Sequence, residues 1–538
     1  MLFVRSEFSY DRFHSKSDRL YRAWMSEKTD VGEMRVSTIT CLPLGPALPR
    51  KVPDIAHSCR VYAFSSNIKV RDIGFDMPAH MVDADFFDLF DFRLIQGNRL
   101  NPWPSANSVV ISETVAKRLF GSEEVIGKNI ELQMADTSGL FTISGLVRDN
   151  RPESSIKLDI LIPFANDRFF FNERLRTSAW SNIAVETYVL LKQGAKLKMV
   201  DDKIGAMINS LLGDRYAKGA YKINLQPMTS IHMDTSLPAG IEPLGDPGFS
   251  YIVASIGVIV LLIACVNFII LSIGYSGSRS LEVGVRRVLG AERRQLFFQF
   301  WSESILLTLI SVVIGIVLAV SLSHAFGNLI DKKFSWQFDV WFWLYFIAGV
   351  MAMGFSAGIY PALVISHFNP VSALKTKLKI KGTGIFQRIL IAGQFTVSIV
   401  MLICSWIISL QLNYIRSKNL GYAKENVVIV YTGLQLNKGL NVAQSYRNAL
   451  AELPEVKSSS VDLFNFDATP WMEIGFTDRN NSSRTFQFNA VDAKFVSTMG
   501  MKIIAGKNFF SDKDSGVIVN EAFVNAYGLL DPIGKEMP

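Results

Sequence analysis

Four long stretches of the 538-residue chain contain no Asp, Glu, Lys or Arg, and they constrain its fold more than any other feature. They run over Ser250–Tyr275, Ser304–Ile330, Trp341–Ser366 and Ile389–Ile415. At about 1.5 Å per helical residue, each stretch can cross a hydrocarbon core roughly 30 Å thick. Buried helices of soluble proteins rarely lack charged residues over such lengths. We therefore predict an α-helical integral membrane protein with four transmembrane helices in this sequence.

The overall composition agrees with a membrane protein. Charged residues make up 19% of the chain and hydrophobic residues 49%, whereas soluble domains carry about 25% charged residues. The mean hydropathy is +0.24. A content of 38 Phe and 9 Trp excludes a disordered chain, and 4 Cys exclude a disulfide-rich scaffold.

The net charge of +7 is concentrated in two of the segments that connect the spans. Residues 276–300 hold five arginines against two glutamates, and residues 367–388 hold four lysines and one arginine with no acid. Because basic loops stay on the cytoplasmic side, both segments are predicted to be cytoplasmic. Residues 1–249 and 416–538 are then extracytoplasmic. The positive charge is explained by membrane topology, so we expect no nucleic-acid partner.

The two extracytoplasmic segments repeat each other. Short motifs recur in the same order and at similar spacing: Val52–Ile55 with Leu453–Val456, Val82–Phe87 with Val491–Val496, Gly97 with Gly506, Val109–Glu113 with Val517–Glu521, and Ile126–Lys128 with Ile533–Lys535. We therefore predict two copies of one domain.

Each copy is predicted to be a mixed α/β domain. β-branched runs predict strands at Ser108–Ile111, Gly516–Val519, Phe141–Val147 and Thr187–Leu191, with a helix over Glu113–Phe120. The paired glycines Gly97 and Gly506, and Gly127 and Gly534, are expected in turns that need a positive φ or close packing.

The repeat is unequal at its ends. The second copy follows a membrane span directly, whereas only Met1–Val4 precede the polar stretch that begins the first copy. The second copy is also much the shorter of the two. We therefore expect this sequence to be an internal piece of a longer protein.

The segment after the first span, Arg279–Ser304, reads RSLEVGVRRVLGAERRQLFFQFWSES. Helical spacing places Leu281, Val285 and Val288 on one side of a short amphipathic helix. Arg279, Glu282, Arg286 and Arg293 cluster on another side of it. Gly290 suits the end of this helix. The pattern alone is compatible with a helix on the membrane surface, a plain connector or a docking element for a cytoplasmic partner.

The motif Glu282–Arg286, followed by Gly290 and Ala291, resembles the coupling segment of ABC transporter permeases of the MacB-like and FtsX-like family. Further segments resemble the same family: Phe8–His14 its entry to the first exterior domain, Cys265–Ile269 and Gly358–Ala362 the ends of two of its helices, Phe368–Lys375 a loop, and Gln411–Ile415 a helix exit. The resemblance covers essentially the whole chain. It is closest in organisation to the version with eight helices and two MacB-like periplasmic core domains.

The resemblance implies a coupling site for an ABC ATPase subunit. Its residues would be Arg279, Glu282, Val283, Gly284, Arg286, Gly290 and Ala291. Replacing Gly284 by Trp would then uncouple ATP hydrolysis from extracytoplasmic work. The chain itself is expected to be no enzyme and to carry no cofactor, since it has no G-x-x-x-x-G-K-[ST] motif. ATP and magnesium would belong to the partner ATPase.

The family also implies a bacterial inner membrane location and a dimer of permeases in contact with membrane lipid, with a periplasmic adaptor and an outer-membrane channel as further partners. The expected function is export of amphiphiles such as antimicrobial peptides, macrolides or lipoproteins. The alternative is a non-transporting protein whose ATP-driven motion activates a cell-wall hydrolase or senses an envelope ligand. An inactive fragment is a third reading.

Other chemistry has little support in the sequence. The six histidines are scattered, so no metal site is predicted. Cys41 and Cys59 are either a disulfide or two free buried thiols. Phe169–Phe171, Trp103 and Trp180 either line a hydrophobic substrate surface or belong to the core. No catalytic residues are predicted.

Overall fold

The fold is described from a computed structural model, whose described residues are 2–28, 34–71, 73–135, 137–213, 220–329, 340–366, 383–423, 425–430, 436–463, 472–477, 483–512, 514–529 and 531–535. The chain forms two units. One comprises Met1–Tyr10, Arg151–Glu153 and Gly245–Ser417; the other comprises Asp11–Asn150, Ser154–Leu244 and Lys418–Pro538.

Apolar helices dominate the first unit. A short helix, α1 (Leu2–Phe8), precedes four long ones that are numbered here with the whole chain: α7 (Pro247–Val288), α8 (Arg293–Leu329), α9 (Val340–Ser366) and α10 (Thr383–Ser417). α1 packs on the start of α7 through an edge-to-face contact of Phe3 with Phe249, with ring centroids 5.8 Å apart.

Three of these helices contain a segment long and apolar enough to cross a membrane. The segments are Pro247–Leu271, Arg294–Asn328 and Arg388–Ser417, and they coincide with the first, second and fourth predicted spans. The third predicted span is also helical, but its described apolar stretch is the shorter Phe342–Phe355. Four complete spans therefore remain a prediction.

α8 and α9 pack closely where α9 carries a glycine. A Cβ at Gly354 would lie 3.6 Å from Ile305 and Thr308 of α8, which is ordinary van der Waals distance. Trp301 and Phe355 meet edge to face nearby, with centroids 5.5 Å apart. Small residues let membrane helices approach in this way.

The second unit contains a twelve-stranded mixed sheet between residues 20 and 227. Its strands are β1 (Leu20–Lys28), β2 (Met34–Ser37), β3 (Thr40–Cys41), β4 (Ile55–Val70), β5 (Ile73–Val82), β6 (Leu94–Gln96), β7 (Ser108–Ser112), β8 (Asn129–Met134), β9 (Thr137–Val147), β10 (Ile160–Pro163), β11 (Ile183–Leu191) and β12 (Tyr221–Pro227).

The strand order is β12-β1-β11-β4-β5-β10-β7-β9-β6, with β2 paired to β1, β3 to β11, and β8 to β4 and β9. The pairs β5–β10 and β7–β9 are parallel. The predicted strands at 108–111, 141–147 and 187–191 are confirmed within β7, β9 and β11.

Helices join and cover these strands: α2 (Leu44–Lys51), α3 (Phe86–Leu89), α4 (Glu113–Phe120), α5 (Glu173–Thr177) and α6 (Leu197–Leu212), with 3-10 turns at Phe164–Phe169 and Met228–Met233. α4 has the bounds that the sequence predicted. It starts because the Ser112 side chain accepts a hydrogen bond from the Val115 N–H, and it ends at Gly121 in the left-handed region.

The second copy of the repeat is described in part. It contains α11 (Leu436–Leu450), an antiparallel hairpin of β13 (Met472–Thr477) and β14 (Ser483–Phe488), α12 (Phe495–Thr498) and α13 (Glu521–Ala526). α12 corresponds to α3, and α13 corresponds to α4. Asn520 caps α13 through the Phe523 N–H, as Ser112 caps α4.

Equivalent hydrogen bonds support the repeat. The carboxylate of Asp83 accepts the backbone N–H of Arg60 at 2.8 Å, and that of Asp492 accepts the backbone N–H of Val461 at 3.1 Å. The paired glycines also have the expected positive φ: +102° at Gly97, +85° at its counterpart Gly506, +82° at Gly127 and +74° at Gly534.

The strand predicted at Gly516–Val519 is wrong, because these residues form no strand in the structure. In the first domain the matching strand β7 is held between β9 and β10. Among the described residues of the second copy, no strand pairs with residues 516–519. Without partner strands, β-branched residues cannot form a ladder.

Candidate functional site

The candidate site is the turn between α7 and α8, where the predicted coupling residues meet. α7 ends at Val288 and α8 begins at Arg293. Gly290 has a φ of +99°, and the Ala291 N–H donates to the Arg286 carbonyl at 3.0 Å. This hydrogen bond and the left-handed glycine are the signature of a Schellman helix end. The prediction that Gly290 ends a helix is confirmed.

The segment before this turn corrects one prediction. Residues 276–288 do not form a separate short helix but continue the first span as part of α7. No proline lies between Ser276 and Val288 to interrupt the backbone hydrogen bonds. The helix of the first predicted span therefore continues through residues 276–288 and carries the predicted coupling residues near its end.

The start of α8 is capped by Gln295, a side chain of the helix itself. The Glu292 N–H donates to Oε1 of Gln295 at 3.0 Å, and the Leu296 N–H donates to the Glu292 carbonyl at 3.3 Å. A glutamine at this position closes half of a capping box. Both helix ends are thus hydrogen-bonded, which leaves the four-residue turn little freedom.

A small hydrophobic cluster holds the two helix ends together. Val283, Leu296 and Phe300 are buried, and Ala291 packs against them at the turn. Val283 is 0% exposed. Burial of a side chain of this size stabilises the arrangement by about 1.5–3 kcal/mol.

Arg286 links the helices electrostatically. Its Nη2 lies 2.7 Å from Oε1 of Glu282, one turn earlier in α7, and its Nη1 donates to Oε1 of Gln299 in α8 at 2.7 Å. Because both ionised side chains are about half exposed, the pair contributes only about 0.5 kcal/mol. Its effect is to fix the orientation of the guanidinium at the turn.

An exposed apolar tip remains at the turn. Val285 is 45% exposed, Val288 65% and Leu289 81%. The helical spacing placed Leu281, Val285 and Val288 on one side of the helix, and the two valines on that side are exposed. Val283 takes the buried position instead, because α8 packs against that side of α7.

Most of the predicted site residues are brought together. Glu282, Val283, Arg286, Gly290 and Ala291 all lie at the turn. Arg279 and Gly284 belong to α7, but their side chains lie outside the described residues. Sequence reasoning missed Gln295 and Gln299. The Gln295 amide oxygen caps the start of α8, and the Gln299 amide oxygen accepts a hydrogen bond from Arg286.

The two exterior cysteines are free and buried. Cys41 lies opposite Ile183 and Cys59 opposite Tyr188, on two strands that both pair with β11. Five residues along a strand separate them by about 16 Å, far beyond the roughly 7 Å limit for bonded Cα atoms. The reading as two buried thiols is therefore correct, and burial raises the pKa of Cys41 to about 12.

The exterior aromatic residues belong to the core. Phe169–Phe171 pack against one buried cluster, Trp103 against a second and Trp180 against a third. The Trp103 Nε1–H also donates to the Leu161 carbonyl at 3.3 Å. A substrate surface formed by these side chains has no support.

Two family models match the chain. Residues 1–207 match the MacB-like periplasmic core domain, and residues 254–370 match the FtsX-like permease C-terminal region, which contains the α7–α8 turn. Together with the apolar helices, these two matches identify a membrane protein of the ABC transporter permease class with an extracytoplasmic α/β domain. The chain belongs to the FtsX-like permeases that carry a MacB-like periplasmic core domain.

Curated relatives agree with this family. The chain is 25% identical over 308 residues to the uncharacterized ABC transporter permease YvrN of Bacillus subtilis, a match that covers 55% of this chain and 69% of the relative. It is 26% identical over 276 residues to the macrolide export ATP-binding/permease protein MacB of Bdellovibrio bacteriovorus, covering 49% of this chain and 38% of that protein.

A solved structure, the periplasmic region of MacB from Actinobacillus actinomycetemcomitans, is 17% identical. The match covers 41% of this chain and 94% of that one, with a TM-score of 0.29.

Proposed function

We propose that the chain is the transmembrane subunit of an ABC transporter and that the α7–α8 turn receives the motion of a partner ATPase. The exposed apolar tip carries this proposal. Leu289 is 81% exposed on a turn whose two helix ends are capped and packed. A rigid apolar projection on the predicted cytoplasmic side suits insertion into a cleft of another protein.

The charged side chains beside the tip, Arg286 and Glu282, would set the orientation of the tip in that cleft. Arg286 is held by Glu282 and Gln299, so its position is defined before binding. Preorganised side chains reduce the conformational entropy lost on association. We propose Arg279 and Gly284 as further members of the contact surface, by their place in the family motif.

The ATPase is expected to be a separate subunit or domain. The chain contains no phosphate-binding loop of the G-x-x-x-x-G-K-[ST] type. The proposed division of labour therefore places ATP and magnesium on the partner. The proposed working unit is a pair of permease chains with two ATPases in a bacterial inner membrane.

The proposed output is movement of the extracytoplasmic domains that drives export of amphiphilic molecules. Two observations support it. The four predicted spans contain no Asp, Glu, Lys or Arg, whereas ion pathways usually carry intramembrane charges. A curated relative is named a macrolide export protein. An adaptor and an outer-membrane channel would complete the route across a second membrane.

The coupling proposal can be tested with the substitution Leu289→Asp. The full protein would be reconstituted with its ABC ATPase, and permease-stimulated ATP hydrolysis would be measured. A carboxylate at the tip should abolish most of the stimulation, because an unpaired charge would be buried in the contact. Leu100, which is 95% exposed in the first exterior domain, provides the matched control Leu100→Asp, which should leave stimulation unchanged. Full stimulation with the Leu289 variant would contradict the proposal.

The export proposal needs a separate measurement. Cells lacking the protein should accumulate an amphiphilic drug or become sensitive to it, and the wild-type gene should restore resistance. If deletion instead changed cell-wall hydrolysis and left drug sensitivity unaltered, the protein would be an ATP-driven activator and not an exporter.

A further inference from the structure

Three side chains in the first exterior domain form a cluster that the coupling function does not use. His57 lies in β4, Asp85 precedes α3 and Asp88 lies within α3. One ligand atom from each of these residues lies within 4.8 Å of the other two. Nδ1 of His57 is 3.0 Å from Oδ2 of Asp85. The sequence did not suggest this cluster, because 28 residues separate the histidine from the first aspartate.

The backbone that carries the cluster is rigid. In β4, Cys59 is 0% exposed, and the neighbouring Ser58 hydroxyl donates to the Gly45 carbonyl at 2.6 Å. In α3, Phe86 and Leu89 are fully buried. The ligand side chains themselves reach solvent, with His57 42% and Asp85 44% exposed. Buried anchors thus present three accessible donor groups from fixed positions.

Asp85 holds an unusual position for its residue type. It is the N-cap residue of α3, yet its side chain makes no cap hydrogen bond. An N-cap aspartate normally accepts a backbone N–H from the first turn. Here the carboxylate faces the imidazole of His57 and lies near the second carboxylate, Asp88. A cation between the three groups would offset the repulsion of the two acids.

The second copy of the domain provides an internal contrast. The repeat places Ser458, Lys494 and Ser497 at the positions of His57, Asp85 and Asp88. Ser458 Oγ hydrogen-bonds to Thr498 Oγ1 at 2.6 Å. An ammonium group and two hydroxyls do not make a cation site. The donor set is therefore a feature of the first copy and not a requirement of the fold.

We propose that His57, Asp85 and Asp88 bind one Zn²⁺ ion, with water completing the coordination. One imidazole nitrogen and two carboxylate oxygens are common zinc ligands. Ca²⁺ and Mg²⁺ prefer all-oxygen sites, so they fit this set less well. The Lys16 ammonium, which donates to the Asp88 carbonyl at 2.5 Å, weakens the site by repulsion but leaves the carboxylate oxygens available.

The test is a Zn²⁺ titration of the full chain in lipid nanodiscs, followed by calorimetry and by X-ray absorption at the zinc edge. The wild-type protein should bind one Zn²⁺ per chain at this site, with nitrogen and oxygen ligands only. His57→Ala and Asp88→Asn should each weaken binding at least about tenfold. Asp85→Lys, which introduces the residue found in the second copy, should abolish it.

Asp54→Asn is the matched control, because Asp54 is a surface carboxylate of the same domain that pairs with Lys203. It should leave the Zn²⁺ affinity unchanged. Protection of the buried Cys59 from maleimide labelling would confirm that each variant is folded. The proposal would be overturned by an absence of saturable binding, by sulfur ligands at the zinc, or by equal affinity of wild type and the His57 and Asp85 variants.

Discussion

The buried ion pair between Arg22 and Glu186 provides the sharpest test of how the first exterior domain is held together. The two side chains are 2% and 3% exposed, with 3.1 Å between Nη1 of Arg22 and Oε1 of Glu186. Glu186 also accepts from the Tyr188 hydroxyl at 2.7 Å and from the Ile241 N–H at 2.9 Å. Arg22 donates further to Oε1 of Gln226 at 2.8 Å.

The substitution Glu186→Gln keeps the size of the side chain and removes its charge. The guanidinium of Arg22 then stays buried without the carboxylate that contacts it. Breaking a buried pair in this way costs about 3–5 kcal/mol. Since each 1.4 kcal/mol is about a tenfold change in an equilibrium constant, the population of open domain should rise by roughly two to three and a half orders of magnitude.

Cys59 offers a local assay for this opening. It lies directly opposite Tyr188 on the neighbouring strand, and it is 0% exposed. Burial raises the pKa of its thiol well above the usual range, so it reacts with a maleimide only when β4 and β11 separate. The labelling rate of Cys59, followed by peptide mass spectrometry of the full chain, should increase in proportion to the open population.

A paired substitution separates the unpaired charge from other causes. Arg22→Met with Glu186→Gln removes both charges, while the glutamine amide can still accept the Ile241 N–H and hydrogen-bond the Tyr188 hydroxyl. Replacing a buried ion pair by uncharged groups is often neutral or stabilising. It should label far more slowly than Glu186→Gln. The reasoning fails if the single variant labels less than about tenfold faster than wild type, or if the double variant is as unstable as the single one.

Two further predictions concern backbone strain and pH. Gly97→Ala should destabilise the first domain more than Gly127→Ala in thermal unfolding, by about 1–3 kcal/mol. Both glycines have a positive φ, but a Cβ at Gly97 would lie 2.5 Å from the Ser144 carbonyl oxygen, whereas a Cβ at Gly127 would have no neighbour within 4 Å. Burial raises the pKa of Asp11 from 3.8 to about 6, so its stabilising contribution is present below pH 3.8 and is lost as the pH rises through 6. Burial lowers the pKa of His80 from 6.5 to about 4. The stabilising contribution of His80 is therefore present above pH 6.5 and is lost as the pH falls through 4. The two trends oppose each other, and Asp11→Asn should therefore make denaturant stability fall more steeply between pH 6.5 and 4 than in wild type; an unchanged pH profile would contradict this.

Local signals explain which parts of the fold could be predicted. The apolar spans, the helix α4 and the positive φ of Gly97 and Gly127 depend on residues that are close in sequence. Ser112 starts α4 and Gly121 ends it with hydrogen bonds inside the same ten-residue stretch. In such cases the residues of the pattern and their hydrogen-bonding partners are close in sequence, so the pattern is enough to predict the local structure.

Long-range pairing explains the parts that could not be predicted. The helical spacing of Val285 and Val288 indicated an apolar face but not which neighbour would cover it; α8 covers Val283 instead. The hydrogen bond from Arg286 to Gln299 joins residues that are 13 positions apart, on either side of the α7–α8 turn. The strand expected at 516–519 had the right residue types and lacked partner strands. Each outcome was decided by a surface supplied from elsewhere in the chain.

The segment that leads toward α7 is hydrogen-bonded to the first exterior domain shortly before that helix begins. The Thr38 hydroxyl donates to the Ala239 carbonyl at 3.2 Å, and the Ile241 N–H donates to Glu186 in β11. α7 begins at Pro247. Gly240 lies between the two bonded residues, and a Cβ there would clash with Oε1 of Glu186. The segment is thus fastened to the buried ion pair six residues before the membrane helix begins. Breaking the ion pair should therefore loosen residues 239–241 on the sheet as well as destabilise the domain.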